Sequence, residues 1–215
     1  MLGKDPYKFI FIHVPKTGGN SIQHVLKDYS ADKISAPENA EFWYDSAGIL
    51  HNFEVSNPVA THKHAGIKDY YDNWKEDDFG NIEDYLKFSV VRNPWERAIS
   101  YYFYKYQTLI FSGVEGFIKD KFMKEVELES MTSYLSVDGK IDLDYCIRIE
   151  KMQEGFDEVC EKLNIPKQKL LRLNNAGDVL RPNKSYVEYY DEEMLEHVKN
   201  VYIDDVENFG YNFGE

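Results

Sequence analysis

Positive charge is scarce in this chain: its 215 residues carry 25 Lys and Arg against 38 Asp and Glu, a formal net charge of −13. A protein that grips nucleic acid or an anionic membrane through its bulk surface needs a positive field, so neither is expected as a partner. A small basic pocket is not excluded. Cysteine is nearly absent, and Cys146 and Cys160 cannot build a disulfide framework or a metal finger; they read as free thiols in a reducing compartment. Long apolar runs are missing as well. The first, Phe9 to Val14, is broken by His13 and far too short to span a bilayer, and no signal-peptide pattern precedes it, so a cytoplasmic location is expected. What is there, 43 % hydrophobic residues, fills one sizeable core, and a single domain over residues 1–215 is the expectation.

Tyr7 to Val14 has the Phe, Ile and Val content of a strand buried on both faces in a parallel sheet. Pro15 to Gly19 breaks it. A helix then runs to about Tyr29, with Asn20 or Ser21 as its cap and Ile22, Val25, Leu26 and Tyr29 on one face. From residue 30 to 58 the periodicity fails, and a long excursion with aromatic clusters such as Phe42-Trp43-Tyr44 follows. Val59 to His62 is a short apolar run before a helix from about Gly66 to Trp74. Leu86 to Val91 is a better strand, ended by Asn93-Pro94, and a helix from Trp95 to Gln107 follows. A helix over 116–129, a strand within 141–149, a helix over 152–163 and a last helix from near Asp191 complete the pattern. Strands alternating with helices predict an α/β fold, a central mostly parallel sheet flanked by helices.

The most informative segment is His13-Val14-Pro15-Lys16-Thr17-Gly18-Gly19-Asn20-Ser21. A glycine turn between strand and helix aims backbone N–H groups at one spot and binds phosphate-like anions, and Lys16 adds a full positive charge. The Walker pattern of NTPases puts lysine after the last glycine, with a hydroxyl next to bind magnesium. Here Lys16 precedes both glycines, so the order is wrong for that motif. The plain alternative is a tight turn with no ligand. A second segment, Val91-Arg92-Asn93-Pro94 through Ser100-Tyr101-Tyr102, sets an arginine at a strand's carboxyl end and a hydroxyl eight residues on, a grip for a separate phosphate. Its plain alternative is that Arg92 and Arg97 pair with Glu96 or other carboxylates while Ser100 packs.

Together the two segments resemble the motifs of sulfotransferases that use 3′-phosphoadenosine 5′-phosphosulfate, in the carbohydrate branch that includes heparan sulfate 2-O-sulfotransferases and small bacterial members. The first is similar to that family's 5′-phosphosulfate loop, the second to its 3′-phosphate motif. Arg148-Ile149-Glu150, Asn183-Lys184-Ser185 and Tyr190-Asp191 through Phe209-Gly210-Tyr211 are weaker echoes. Asn20 stands where the family commonly has threonine or serine. The resemblance implies a P-loop NTPase-like sulfotransferase fold. It also implies that Pro15, Lys16, Thr17, Gly18, Gly19, Asn20 and Ser21 hold the 5′ end of the donor, and Arg92, Ser100, Lys184 and Ser185 its 3′ end. Lys16 would meet charge developing on the leaving 5′-phosphate, and no metal is expected.

An acceptor hydroxyl needs its proton removed, and histidine has a suitable pKa. Thr61-His62-Lys63-His64-Ala65 resembles the family's histidine-containing segment, with His64 as base and His62 as runner-up. Alternatives are a solvated His-Lys-His and a zinc shared by the two histidines, for which no third ligand is obvious. Trp43, Tyr44, Tyr101, Tyr104 and Tyr106 read either as a sugar-stacking wall or as core. Glu41, Asp45 and Glu150 receive no role.

The expected function is transfer of a sulfuryl group from 3′-phosphoadenosine 5′-phosphosulfate to a hydroxyl of a carbohydrate or small molecule, releasing adenosine 3′,5′-bisphosphate. Residues 30–58 and 107–140 would bind the acceptor. The alternatives are a catalytically silent nucleotide-binding or interaction protein on this fold, and a P-loop kinase or NTPase. Charge bears on the acceptor too. Residues 186–215 carry nine acids and one lysine, residues 1–30 four lysines and two aspartates, so a neutral or weakly charged acceptor is expected rather than a strongly anionic one.

Overall fold

Phe9–Ile12 forms strand β1, buried at all four positions, and Leu86–Val91 forms β4. The computed structural model describes residues 1–36, 54–107, 110, 113, 116–125, 128–173, 181 and 185–215. β4 is the middle strand of a parallel sheet. On one side it pairs with β1, Phe9 opposite Leu86 through Ile12 opposite Ser89, and on the other with β7 (Tyr145–Arg148), Phe88 opposite Tyr145 through Val91 opposite Arg148. The hydroxyl of Ser89 adds a bond to the Ile12 carbonyl at 2.8 Å. The fold is α/β with helices flanking a parallel sheet, as the alternation of periods predicts.

The chain forms two compact units, the first from residues 1–91 and 133–174, the second from 92–132 and 175–215. In the first, α1 (Gly19–Leu26) and α7 (Met152–Leu163) pack on one sheet face. Period-2 side chains Phe9, Phe11, Phe88, Val90 and Ile147 meet Ile22, Val25 and Leu26 of α1 and Phe156 and Val159 of α7. The antiparallel pair β2 (Lys33–Ser35) and β3 (Glu54–Ser56), helices α2 (Ile67–Asn73) and α3 (Glu76–Phe79), and the hairpin β5 (Ser136–Val137) and β6 (Lys140–Ile141) complete it.

In the second unit α4 (Pro94–Lys105) begins with the Asn93 side chain accepting the Trp95 N–H, as the Asn-Pro pair foretells. Helix α5 is Lys119–Glu125, and α6 (Met131–Leu135) leads back to the first unit. Asp191 caps α8 (Glu192–Val201) through the Met194 N–H. The last helix is two helices rather than one, because Tyr202 leaves helical geometry (φ −116°, ψ 34°) before α9 (Ile203–Phe209).

One further expectation is corrected. Val59 to His62 is not a strand, since the Asn57 side chain accepts the N–H groups of both Val59 and Ala60 and folds the chain into a turn. The strand expected within 141–149 is β7, Tyr145–Arg148, while Ile141 belongs to a hairpin whose turn is Asp138-Gly139, both at positive φ (50° and 76°). Residues 37–53, with Glu41, Trp43, Tyr44 and Asp45, lie outside the described residues. Cys146 and Cys160 are both free thiols. No described helix is long and apolar enough to cross a membrane.

Candidate active site

Between β1 and α1 the chain turns through two left-handed residues, Lys16 (φ 68°) and Gly18 (φ 83°). Glycine adopts that conformation without strain, whereas Lys16 does so at some cost. The Thr17 hydroxyl, fully buried, closes the turn on the Val14 carbonyl at 2.9 Å, so its oxygen serves the loop itself. Gly18 is the N-cap of α1, and neither Asn20 nor Ser21 is. Both expected caps lie inside the first turn and are buried. Ser21 donates its N–H to the Gly18 carbonyl, and its hydroxyl accepts from the Leu173 N–H at 3.4 Å. The cap moves because a left-handed glycine already turns the chain into the helix. No side chain caps α1, and no acidic residue stands in its first turn. That combination, beside Lys16, favours an anion at the helix start.

Each glycine also allows a close approach. A Cβ on Gly18 would meet the Met152 methyl at 2.6 Å, and one on Gly19 would fall 2.6 Å from Nε2 of His13 and closer still to its Cδ2. The His13 ring therefore rests against the first residue of α1. It is 5 % exposed, stacks on Phe11 with centroids 6.0 Å apart, and touches the ring of His64 at 4.7 Å. Burial pushes its pKa well below the usual histidine value, and the positive groups His64, Lys63 and the Met1 amino group push the same way. Gln23, wholly buried, acts weakly in the opposite sense, yet no hydrogen bond of good geometry joins it to Nδ1 of His13.

Nδ1 of His64 lies 2.8 Å from the main-chain oxygen of His13. A carbonyl only accepts, so Nδ1 carries the proton and the lone pair resides on Nε2. His64 is half-buried, whereas His62, the other candidate base, is exposed. Lys63 between them is buried, and its ammonium is pushed down to about 8 by desolvation against the opposing pull of Glu54. Among the described residues no three His, Cys, Asp or Glu side chains gather as a metal site.

The second segment is described within its own unit. Arg92 follows β4 directly, and its guanidinium pairs with Glu96 one helical turn on at 2.9 Å. Glu96 also receives Arg181 at 3.8 Å, and the two guanidinium groups overcome the effect of burial to hold its carboxyl below the usual range. Ser100 is buried in α4. The plain alternative thus describes both arginines, for Arg97 lies 1 % exposed with one nitrogen 3.8 Å from the Asp205 carboxylate and another bonded to the Glu129 carbonyl. Ser185 heads a short helical turn, Tyr186–Tyr189, in a capping box with Glu188. Lys184 lies outside the described residues. Of the aromatic candidates, Tyr104 is exposed and Lys105 sits 6.0 Å from the rings of both Tyr101 and Tyr106.

Sequence reasoning assigns no role to the side chains of His13 and Lys63, and reads Arg181 only as the start of a loop, Arg181 to Ser185, expected at the nucleotide's 3′ end. The signal for His13 was its place beside the glycine turn; Arg181 offered only a basic residue in a polar loop. A profile of the sulfotransferase family matches residues 1–212, and the chain belongs to the sulfotransferase family, whose chemistry is sulfuryl transfer. No curated protein matches the chain.

Proposed function

We propose that this sulfotransferase takes 3′-phosphoadenosine 5′-phosphosulfate as donor and a hydroxyl of a carbohydrate or small molecule as acceptor. The observation that carries the proposal is the pairing, within one unit, of an uncapped, acid-free start of α1 beside Lys16 with a histidine whose tautomer is fixed for accepting a proton. The donor supplies an activated sulfuryl group on a good leaving group. The backbone from Thr17 to Asn20 would bind the 5′-phosphate, and Lys16 would stabilise the negative charge that grows on the bridging oxygen. Nε2 of His64 would take the proton of the attacking hydroxyl. Arg92 and Ser100 would hold the 3′-phosphate, with Lys184 and Ser185 as further donors there.

The histidine roles follow from chemistry. An imidazole with Nδ1 fixed as donor presents one basic nitrogen in one orientation, which is what a positioned general base requires. His62, exposed and without that restraint, would be dispensable. The test is a screen of hydroxyl acceptors with isotopically labelled donor. Label transferred by the wild-type protein and lost in His64→Ala supports the reading; full transfer by His64→Ala moves the base elsewhere. Binding of adenosine 3′,5′-bisphosphate with no transfer to any acceptor would favour a silent nucleotide-binding protein.

A further inference from the structure

The side chain of His13 has no part in that chemistry, yet it occupies the place where the donor loop and the base meet. Three contacts fix it: Phe11 below, His64 beside it with the rings tilted by 59°, and Gly19 against its Cδ2–Nε2 edge. Gly19 is the first residue of α1, and a Cβ there would overlap the imidazole, so packing against His13 requires glycine at that position in addition to any role in the turn. The titratable and polar groups facing the ring are His64, Lys63, the Met1 amino group and Gln23; none is an anion. His64 turns its Nδ1 to the His13 carbonyl rather than to the His13 ring, so the two side chains meet by packing.

We propose that His13 is a positioning residue: its ring, wedged between the first residue of α1 and the imidazole of His64, transmits the state of the donor loop to the base. The inference rests on the sulfotransferase reading above. If filling the loop shifts the start of α1, the ring edge moves with Gly19 and the contact of the ring with His64 changes. The His13 carbonyl holds the base by Nδ1 while the His13 ring sets the angle of its plane, so one residue controls both tautomer and aim. Small displacements matter, since misplacing a reacting group by 1 Å costs about 100-fold in rate.

The experiment follows the histidine ring nitrogens by NMR in protein labelled with nitrogen-15, His64 being assigned from a His64→Gln sample. Adenosine 3′,5′-bisphosphate is titrated into wild-type protein and into His13→Asn. The expected result is a shift of the His64 ring signals in the wild type and its loss in His13→Asn, which still binds the bisphosphate within about threefold. Persistence of the His64 response in His13→Asn overturns the inference, as does loss of bisphosphate affinity in parallel with the response, because the side chain would then serve only to fold the loop. A wild-type protein that does not bind the bisphosphate overturns the donor reading itself, and the inference with it. Should His13→Asn not fold, His13→Gln takes its place with the same readout, and a His64 response that persists there overturns the inference equally.

Discussion

The Nδ1 atom of His64 and the carbonyl oxygen of His13 stand 2.8 Å apart, and this one bond ties the candidate base to the strand that leads into the donor loop. It predicts the tautomer of His64 and, through it, the atom that accepts the acceptor's proton. Replacing His64 by Ala is expected to lower turnover by about 10²- to 10⁴-fold while leaving bisphosphate affinity unchanged, measured by steady-state kinetics beside calorimetry. His62→Ala should have turnover within about twofold of the wild type. Reversed effects of the two variants would exchange their roles.

Gly19→Ala sets helix propensity against packing. The gain from alanine, at most about 1 kcal/mol at a helix's first residue, is outweighed by a methyl 2.6 Å from Nε2 of His13, an overpacking that costs about 1–3 kcal/mol. Urea unfolding should show net destabilisation. The penalty should shrink in a His13→Asn background, since relieving the crowding couples the two sites. A penalty unchanged by His13→Asn would place the clash elsewhere.

The depressed pKa of His13 makes a stability prediction of definite sign. In the unfolded chain the ring takes a proton near its ordinary pKa of about 6.5, whereas in the folded protein it stays neutral to lower pH. The stabilisation is present above that ordinary value and is lost as pH falls below it, by at most about 1.4 kcal/mol per pH unit. Urea midpoints between pH 7.5 and pH 5 should fall less steeply in His13→Asn than in the wild type. Equal slopes would mean that the ring is charged in the fold.

Asp205 illustrates what composition conceals. It belongs to the acidic stretch 186–215, yet it is wholly buried, accepts the N–H groups of Met131 and Thr132 and the Thr132 hydroxyl, and faces Arg97. Asp205→Ala strands a buried guanidinium and the start of α6, and should cost about 3–5 kcal/mol in denaturant unfolding. A cost under about 1 kcal/mol would mean that Arg97 finds another partner.

Legibility from the sequence followed the range of the interactions. β4 and α7 were bounded correctly because apolar periodicity and the Asn-Pro stop are local signals. The donor loop was legible for the same reason: a strand, a glycine turn and a helix lie within eighteen consecutive residues, from Phe9 to Leu26. The α1 cap was misplaced because side-chain capping and a left-handed glycine compete, and only backbone geometry decides. The Asp138-Gly139 hairpin carried a readable signal that went unused. The roles of His13, Arg181 and Asp205 depend on residues distant in sequence, Glu96 with Arg181 and Asp205 with Met131 among them, and no local pattern announces such contacts.

Calorimetric titration with adenosine 3′,5′-bisphosphate, alongside ADP and ATP, checks the proposed donor in one experiment. The bisphosphate should bind well above ADP, which lacks the 3′-phosphate. Lys16→Ala should weaken it, and so should Arg92→Ala, by about 10- to 100-fold if one charged hydrogen bond of about 1.5–3 kcal/mol is lost. Arg92→Ala should leave ADP binding nearly unchanged. Tight, magnesium-dependent ATP binding with no response to the bisphosphate would contradict the account.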